Sequence, residues 1–547
     1  MLLLTTRMRR WLAGLLWALS LHAAHAVPVE APELTAALTR LKDAPLAELG
    51  DAVQVVAAIR DDRVPGLLKA LLEGRLYAVK ADGRVVYATP ADEGYAVSDA
   101  LSGQSLGSKG RFEVKKIAIN NTVRNSLNGL IARLELSVDD PAQRLKAVEA
   151  MSQSADAAAI ELLRKQFEVE ADPKVRGALV LALALADIAG ADKEKRLVAI
   201  RSLEGTLDQE ARNRLNALVE KDDEGEYLES DEDIRNAALA VIKHIEFELQ
   251  LNRLAETLFF GLSLGAVLVL AGIGLAITFG VMGVINMAHG ELMMIGAYTT
   301  YVVQRLLPDH LDVSLFVAIP AAFLISGLVG IAIERGIIRF LYGRPLETLL
   351  ATFGVSLFLQ QSVRSIFSPL NRSVSTPAWM SGSVEINHAL AFTLNRFYIV
   401  VFSLLVFVAL LAILKRTRLG LEVRAVAQNR SMARAMGIPT DRVDALTFGL
   451  GSGIAGVAGV ALSQLTNVGP NLGQSYIVDS FMVVVFGGVG NLWGTLVGGM
   501  SLGLVNKLLE PYAGAVLAKI IILVFIILFI QKKPRGLFPQ KGRAAEG

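Results

Sequence analysis

Apolar and polar positions divide the chain into two stretches that are organised differently. From residue 27 to about 250, apolar residues recur at helical spacing in short segments, as in Ile234, Ala238, Val241, Ile242 and Ile245. From Thr257 onward the apolar residues run almost without interruption. Segments of near-spanning length lie at about 257–280, 287–304, 313–334, 346–363, 397–414, 445–465, 477–490, 494–508 and 512–531. The seventh and eighth are short and broken by glycine. The pattern predicts an all-α chain: a polytopic membrane helix bundle of about eight or nine spans at 257–535, preceded by a mostly helical domain at 27–250.

Within the first stretch, 76–88 departs from the helical pattern. Tyr77, Val79, Val85 and Tyr87 flank Asp82-Gly83, which predicts a small hairpin. From about residue 139 a weak repeat begins. Asp140-Pro141 with Arg144 is echoed by Asp172-Pro173 with Arg176, by Asp208 with Arg212, and by Asp231 with Arg235. Aspartate caps the open N–H groups of a helix and proline is tolerated at its first position, so each motif marks a helix start. The run resembles HEAT-type helical repeats with irregular spacing. A plain helical domain whose helices begin with aspartate would read the same way.

The first 26 residues carry the marks of a secretory signal peptide. Arg7, Arg9 and Arg10 precede an apolar Trp11–Leu21 stretch that is too short to span, and Ala24-His25-Ala26 offers small residues for cleavage. Export would place 27–250 on the outer side of the inner membrane.

Charge sharpens the division. The net charge of +2 conceals 33 Lys+Arg against 40 Asp+Glu in residues 1–256, and 21 against 12 in 257–547. The first part is acidic, and the excess of positive charge in the second does not indicate a nucleic-acid partner. Basic residues of the second part gather at Arg335, Arg339 and Arg344, in the loop 415–444, and at Lys532, Lys533 and Arg535. By the positive-inside rule these belong in the cytoplasm, together with the C-terminus. There is no cysteine, so no disulfide supports an exported domain. No metal-ligand spacing, nucleophile constellation or cofactor motif is found. The acidic run from Glu220 to Asp233 reads as a solvated loop.

Polar residues within the apolar half are the candidates for chemistry, because they are costly in lipid. Asn286, His289 and Glu291 interrupt two apolar stretches, which predicts a broken helix facing protein or a polar cavity. Asp479 lies early in the seventh span, and Asn491 follows Gly487-Gly488-Val489-Gly490. These five are the candidate solute-pathway residues. A hydrogen-bonded pair that merely pins the break would explain His289 and Glu291 as well. The chain holds no Gly-x-x-x-x-Gly-Lys-Ser/Thr loop, so ATP hydrolysis would have to come from another chain.

The segment from Gly280 through Asn286-Met287-Ala288-His289-Gly290-Glu291 to Gly296-Ala297-Tyr298 resembles the signature of permeases of the branched-chain amino-acid class of ABC importers. Thr417-Arg418-Leu419-Gly420 through Gly437-Ile438, Leu446-Thr447-Phe448 through Gly459, Phe486 through Asn491, and Arg535-Gly536-Leu537-Phe538-Pro539 match the same class. The long N-terminal extension and Ser475–Phe486 resemble the urea-type permease subunit within it. The resemblance implies a non-enzymatic permease that carries urea or short amides, with branched-chain amino acids as the alternative substrate. A membrane sensor with a ligand-binding outer domain is the reading from a different class. It also implies a second permease subunit, two cytoplasmic ATP-binding subunits and a periplasmic solute-binding protein. The loop 415–444 then resembles a coupling element: one helix from Glu422 to Met436 ending at Gly437, with Arg424, Gln428, Arg430 and Arg434 facing the ATPase.

Overall fold

The computed structural model describes residues 32–539 except Ala47, Arg60, Asp62, Asp92, Glu93, Ser137, Ala155, Asp156 and His388. The signal-peptide segment 1–26 lies outside the described residues. The chain divides into two compact units, one ending at Ile245 and the other beginning at Glu246.

The first unit opens with three helices, α1 (Pro32–Asp43), α2 (Leu49–Ala57) and α3 (Val64–Leu72). A five-stranded antiparallel sheet follows, in the order β4-β3-β2-β1-β5. Its strands are β1 (Leu76–Val79), β2 (Val85–Ala91), β3 (Gly94–Asp99), β4 (Ser105–Lys109) and β5 (Val114–Lys116). β1 and β2 pair across the Asp82-Gly83 turn, where Gly83 takes the positive φ that the turn needs. Short alternating patterns without a long apolar run hide β3 to β5 in the sequence, so the unit holds more sheet than a single hairpin. Leu34, Leu41, Leu67, Leu71, Leu76 and Leu127 are buried together in the core of this part.

Six helices follow: α4 (Asn121–Glu135), α5 (Pro141–Ser154), α6 (Ala157–Val169), α7 (Pro173–Ile188), α8 (Lys193–Ser202) and α9 (Gln209–Ala217). The recurring aspartates act at helix starts. Asp172 accepts from the N–H groups of Lys174 and Val175, Asp208 from Ala211, and Asp231 from Asp233 and Ile234. The arginine four residues after the aspartate has a role of its own. Arg144 donates to the carbonyls of Val138 and Asp139, and Arg235 to those of Glu229 and Ser230. Each arginine thus ties its helix to the incoming chain.

Helix α10 (Glu232–Met282) contains the division between the units. The second unit continues with α11 (His289–Leu306), α12 (Leu311–Gly336), a 3-10 turn at Ile338–Phe340, and α13 (Pro345–Phe367). A hairpin of β6 (Ser383–Asn387) and β7 (Leu390–Thr393) leads into α14 (Leu394–Arg416). Next come α15 (Arg418–Gln428), α16 (Arg430–Ala435), α17 (Thr440–Ser463), α18 (Leu472–Gly487) and α19 (Leu492–Lys532). Five helices among the described residues are long and apolar enough to cross a membrane. α11 and α13 have the length but carry too many polar residues to qualify by composition. The segments 494–508 and 512–531, expected as separate spans, are the two arms of α19. They meet at Gly514, whose φ of 76° and ψ of 160° interrupt the helix just after Pro511.

α17 is the most enclosed of these helices, and glycine is the reason. A Cβ on Gly459 would collide with the Met293 carbonyl of α11, one on Gly456 with the Ala322 carbonyl of α12, and one on Gly451 with the Gly274 carbonyl of α10. Backbones approach this closely only where side chains are absent, and such approach supplies packing energy where lipid gives no hydrophobic drive.

Candidate solute pathway and coupling face

The chain leaves α10 at Met282 and turns at Gly283, whose φ is +66°. It then enters α11 at His289, deep in the bundle. Asn286, His289 and Glu291 are all buried, at 0%, 0% and 1% exposure. The break exposes backbone groups that side chains satisfy. Asn286 Oδ1 accepts from the Ala288 N–H at 3.0 Å. The Met287 N–H donates to Thr352 Oγ1 at 3.1 Å. His289 Nε2 lies 2.8 Å from the Ala271 carbonyl, which only accepts, so the proton sits on Nε2. The Ser356 hydroxyl donates to Glu291 Oε1 at 3.1 Å.

Each of the three residues therefore spends one polar atom on the fold and keeps another in reserve. Asn286 Nδ2, His289 Nδ1 and Glu291 Oε2 are buried without a hydrogen-bond partner among the described residues. Buried polar groups are paired almost everywhere in proteins, so three such atoms within six residues single out this turn as the candidate site.

The opposite wall comes from α13, whose polar side chains recur at every fourth position: Thr348, Thr352, Ser356, Gln360 and Arg364. The first four are buried, and Gln360 Nε2 also has no partner. Arg364 is held by Asn471 Oδ1 at 2.7 Å, at the entry to α18. The first four residues of the stripe are legible in the sequence as an i, i+4 pattern inside the apolar segment 346–363. The stripe's place opposite Glu291 is not.

α18 meets the same region end-on. Cβ atoms on Gly473 and Gly290 would each strike the other's backbone, so the first turns of α11 and α18 abut. With 16 residues, α18 is about 24 Å long, short of the roughly 30 Å apolar core of a bilayer. Two short helices thus meet at their N-terminal ends beside the polar cluster. Open N–H groups and positive dipole ends there favour hydrogen-bond acceptors.

The structure does not bring the remaining candidates into the cluster. Asp479 pairs with Lys519 of α19 at 2.9 Å. Asn491 caps α19 through the Gly494 N–H and donates to the Phe538 carbonyl. That second bond belongs to a strap. The Leu537 and Phe538 N–H groups bond to the carbonyls of Phe486 and Gly487, holding the C-terminal segment against the turn between α18 and α19.

The segment 415–444 forms two short helices rather than one from Glu422 to Met436. Asn429 takes extended backbone (φ −153°, ψ 102°), ends α15, and caps α16 by accepting from Met432 N–H. Asparagine's preference for capping overrides the helical pattern around it. Gly437, at φ +85°, closes α16. The basic candidates divide. Gln428 is exposed. Arg424 folds back onto the Leu414 carbonyl, Arg434 bonds to Thr440 Oγ1, and Arg430 pairs inward with Asp444. Arg424 and Arg434 remain exposed despite these bonds, and three exposed apolar residues, Leu421, Met432 and Met436, share the outer surface with them. No charge pattern marks them in the sequence.

All three basic segments share one end of the bundle. The 335–345 region and α16 line a common cavity, and Lys415 and Arg424 line a groove of about 960 Å³ with Arg535 and Phe538.

The second unit is thus a glycine-packed helical bundle with a broken, polar-lined helix at its centre. Residues 257–530 match the family described as the branched-chain amino acid transport system permease component. The chain is 33% identical over 293 residues to the high-affinity branched-chain amino acid transport system permease protein of Salmonella typhimurium, covering 52% of this chain and 94% of that one. The corresponding Escherichia coli protein is 32% identical over 292 residues, with the same coverage. A ribose import permease protein of E. coli is 26% identical over 237 residues, covering 41% and 71%. The chain therefore belongs to the branched-chain amino acid transport permease family. No solved structure matches it.

Proposed function

We propose that this protein is a non-catalytic permease subunit of an ATP-driven importer and that branched-chain amino acids are its solutes. The observation that carries the proposal is the match over nearly the full length of relatives named for that transport. The match includes the segment in which Asn286, His289 and Glu291 leave polar atoms in reserve. In this reading the solute passes between the start of α11 and the polar stripe of α13. A second permease subunit, two cytoplasmic ATP-binding subunits and a periplasmic solute-binding protein complete the assembly, in the bacterial inner membrane. The common end of the three basic segments supports a cytoplasmic C-terminus, and a periplasmic acidic unit follows in this reading if the start of the chain directs export. That unit's helical array, HEAT-like in its capped starts, offers a surface for the binding protein.

A second reading, urea or a short amide, rests on a specific observation. The reserve atoms belong to two amide NH₂ groups, an imidazole and a carboxylate. Among the described residues, no cation is hydrogen-bonded to them. A neutral solute that both donates and accepts hydrogen bonds satisfies such a set. Uptake of labelled leucine and labelled urea by proteoliposomes holding the complete complex and ATP decides between the readings. Leucine accumulation supports the first, urea accumulation without leucine replaces it with the second, and neither solute accumulating contradicts both.

A further inference from the structure

On the basic face, a polar cluster lies apart from the pathway. Asp444, in the second turn of α17, is wholly buried, and Arg430 of α16 forks onto both of its carboxylate oxygens. The guanidinium also covers the ring of Tyr342, 4.1 Å from its centroid. Beside them lies a cavity of about 270 Å³, lined also by Glu334, Arg335 and Arg339. Glu334 is buried at 2% exposure, and its Oε2 has no hydrogen-bond partner among the described residues, with Arg335 Nε 3.8 Å away.

A buried ion pair rarely adds net stability over apolar packing of the same volume. What a forked arginine–carboxylate pair does provide is a fixed direction, because two parallel bonds and a stacked ring leave the guanidinium no rotational freedom. The pair joins two elements of different character. α16 and the residue that follows it present Met432 and Met436 outward, whereas α17 is locked by glycine contacts to α11 and α12. Its Gly459 lies against the Met293 carbonyl, two residues from Glu291. α16 is also seated by a small apolar cluster of Val423, Val426, Ala433 and Val443 and by bonds from Arg434 to Thr440 and Asp441 at the start of α17, but only the Arg430–Asp444 pair reaches a buried carboxylate.

We propose that the Arg430–Asp444 pair, backed by Tyr342, is the clamp that carries displacement of the 415–444 segment into α17 and so to the start of α11. The inference rests on reading 415–444 as the segment that meets the ATPase. Arg430 is then a positioning residue that points inward, and the exposed methionines make the contact.

The test uses the assembled importer in proteoliposomes. Arg430→Ala with Asp444→Asn removes both charges of the pair together, so neither partner is left without the other. In this variant the ATP-binding subunits are expected to remain bound and to hydrolyse ATP while solute uptake per ATP falls at least tenfold. Because the chain has no cysteine, Arg430→Cys with Asp444→Cys can be bridged by a short reversible bis-thiosulfonate linker. Bridging should restore uptake several-fold, and dithiothreitol should abolish it again. Wild-type uptake per ATP in the first variant overturns the proposal, as does a linker that joins the two residues without restoring uptake. Loss of ATPase binding in the first variant also overturns it, in favour of direct contact by Arg430. Failure of the underlying reading has a different sign: Met432→Glu with Met436→Glu would leave ATPase binding unchanged, which removes the basis of the clamp as well.

Discussion

The acidic unit and the membrane unit hold their helices together by opposite means. In the acidic unit, side chains reach across: Arg144 forks onto the buried Glu170 with two bonds of 2.8 Å, and Arg196 pairs with Glu229. In the membrane unit, side chains withdraw, and α17 meets α10, α11 and α12 backbone to backbone at glycine. The difference follows from the solvent. In water, apolar burial already drives association, and ion pairs fix register. In lipid the apolar drive is absent, so helices gain only from close approach and from the few polar contacts they make. The polar groups placed inside the membrane unit are therefore sparse enough to read as function.

The comparison breaks most visibly at Gly459. A leucine there has no space against the Met293 carbonyl, and overpacking of this kind costs several kcal/mol, about 3 or more. Gly459→Leu is expected to abolish recovery of folded, monodisperse permease from detergent. Wild-type yield would show that backbone approach does not govern the membrane unit.

At the polar break, Glu291→Gln keeps the Ser356 contact geometry but replaces the unpaired carboxyl Oε2 with an amide NH₂, and His289→Ala removes the bond to Ala271. Each is expected to lower uptake about tenfold or more in a normally assembled complex, the scale on which removal of one buried polar contact, about 1.4 kcal/mol, acts on a rate. Unchanged flux from either assembled variant would assign that residue to pinning the break alone.

In the acidic unit the expected effects are smaller and depend on pH. The Arg144 guanidinium holds the Glu170 carboxyl down to about 2 from its usual 4.5. The folded state thus binds its proton less readily than the unfolded chain. The resulting stabilisation is complete above about pH 4.5 and is lost as pH falls toward 2. Glu170→Gln should cost on the order of 2 kcal/mol at pH 7 and almost nothing near pH 2, read by hydrogen exchange of peptides from α5 to α7. Equal cost at both pH values would contradict the ion pair as the source. Asp172→Ala should cost about 1 kcal/mol by loss of the α7 cap, measured in the same way, and a change below about 0.3 would remove the cap's significance.

What could be read from the sequence follows the same division. Asp172 and Asp208 announced their helix starts because a cap is local, needing only the residue and the next three. The break at Asn286–Glu291 was legible because polar residues stand out against an apolar run. The Glu170–Arg144 pair, the Asp479–Lys519 pair and the α13 stripe opposite Glu291 join residues far apart in the chain, and no local rule connects them. Asn429 was hidden for another reason: its side chain caps as readily as it sits on a helix surface, and only the backbone turn decides between them.

The proposed solute passage lies between the start of α11 and the polar stripe of α13. It is tested most directly by Ser356→Cys in this cysteine-free chain, with Leu405→Cys on an exposed apolar position of α14 as control. During ATP-driven turnover in proteoliposomes, a small polar thiosulfonate reagent should modify the first variant and stop uptake, excess solute should slow the modification, and the control should keep transporting. Continued uptake by a fully modified Ser356→Cys complex, or modification that solute does not slow, would contradict the account.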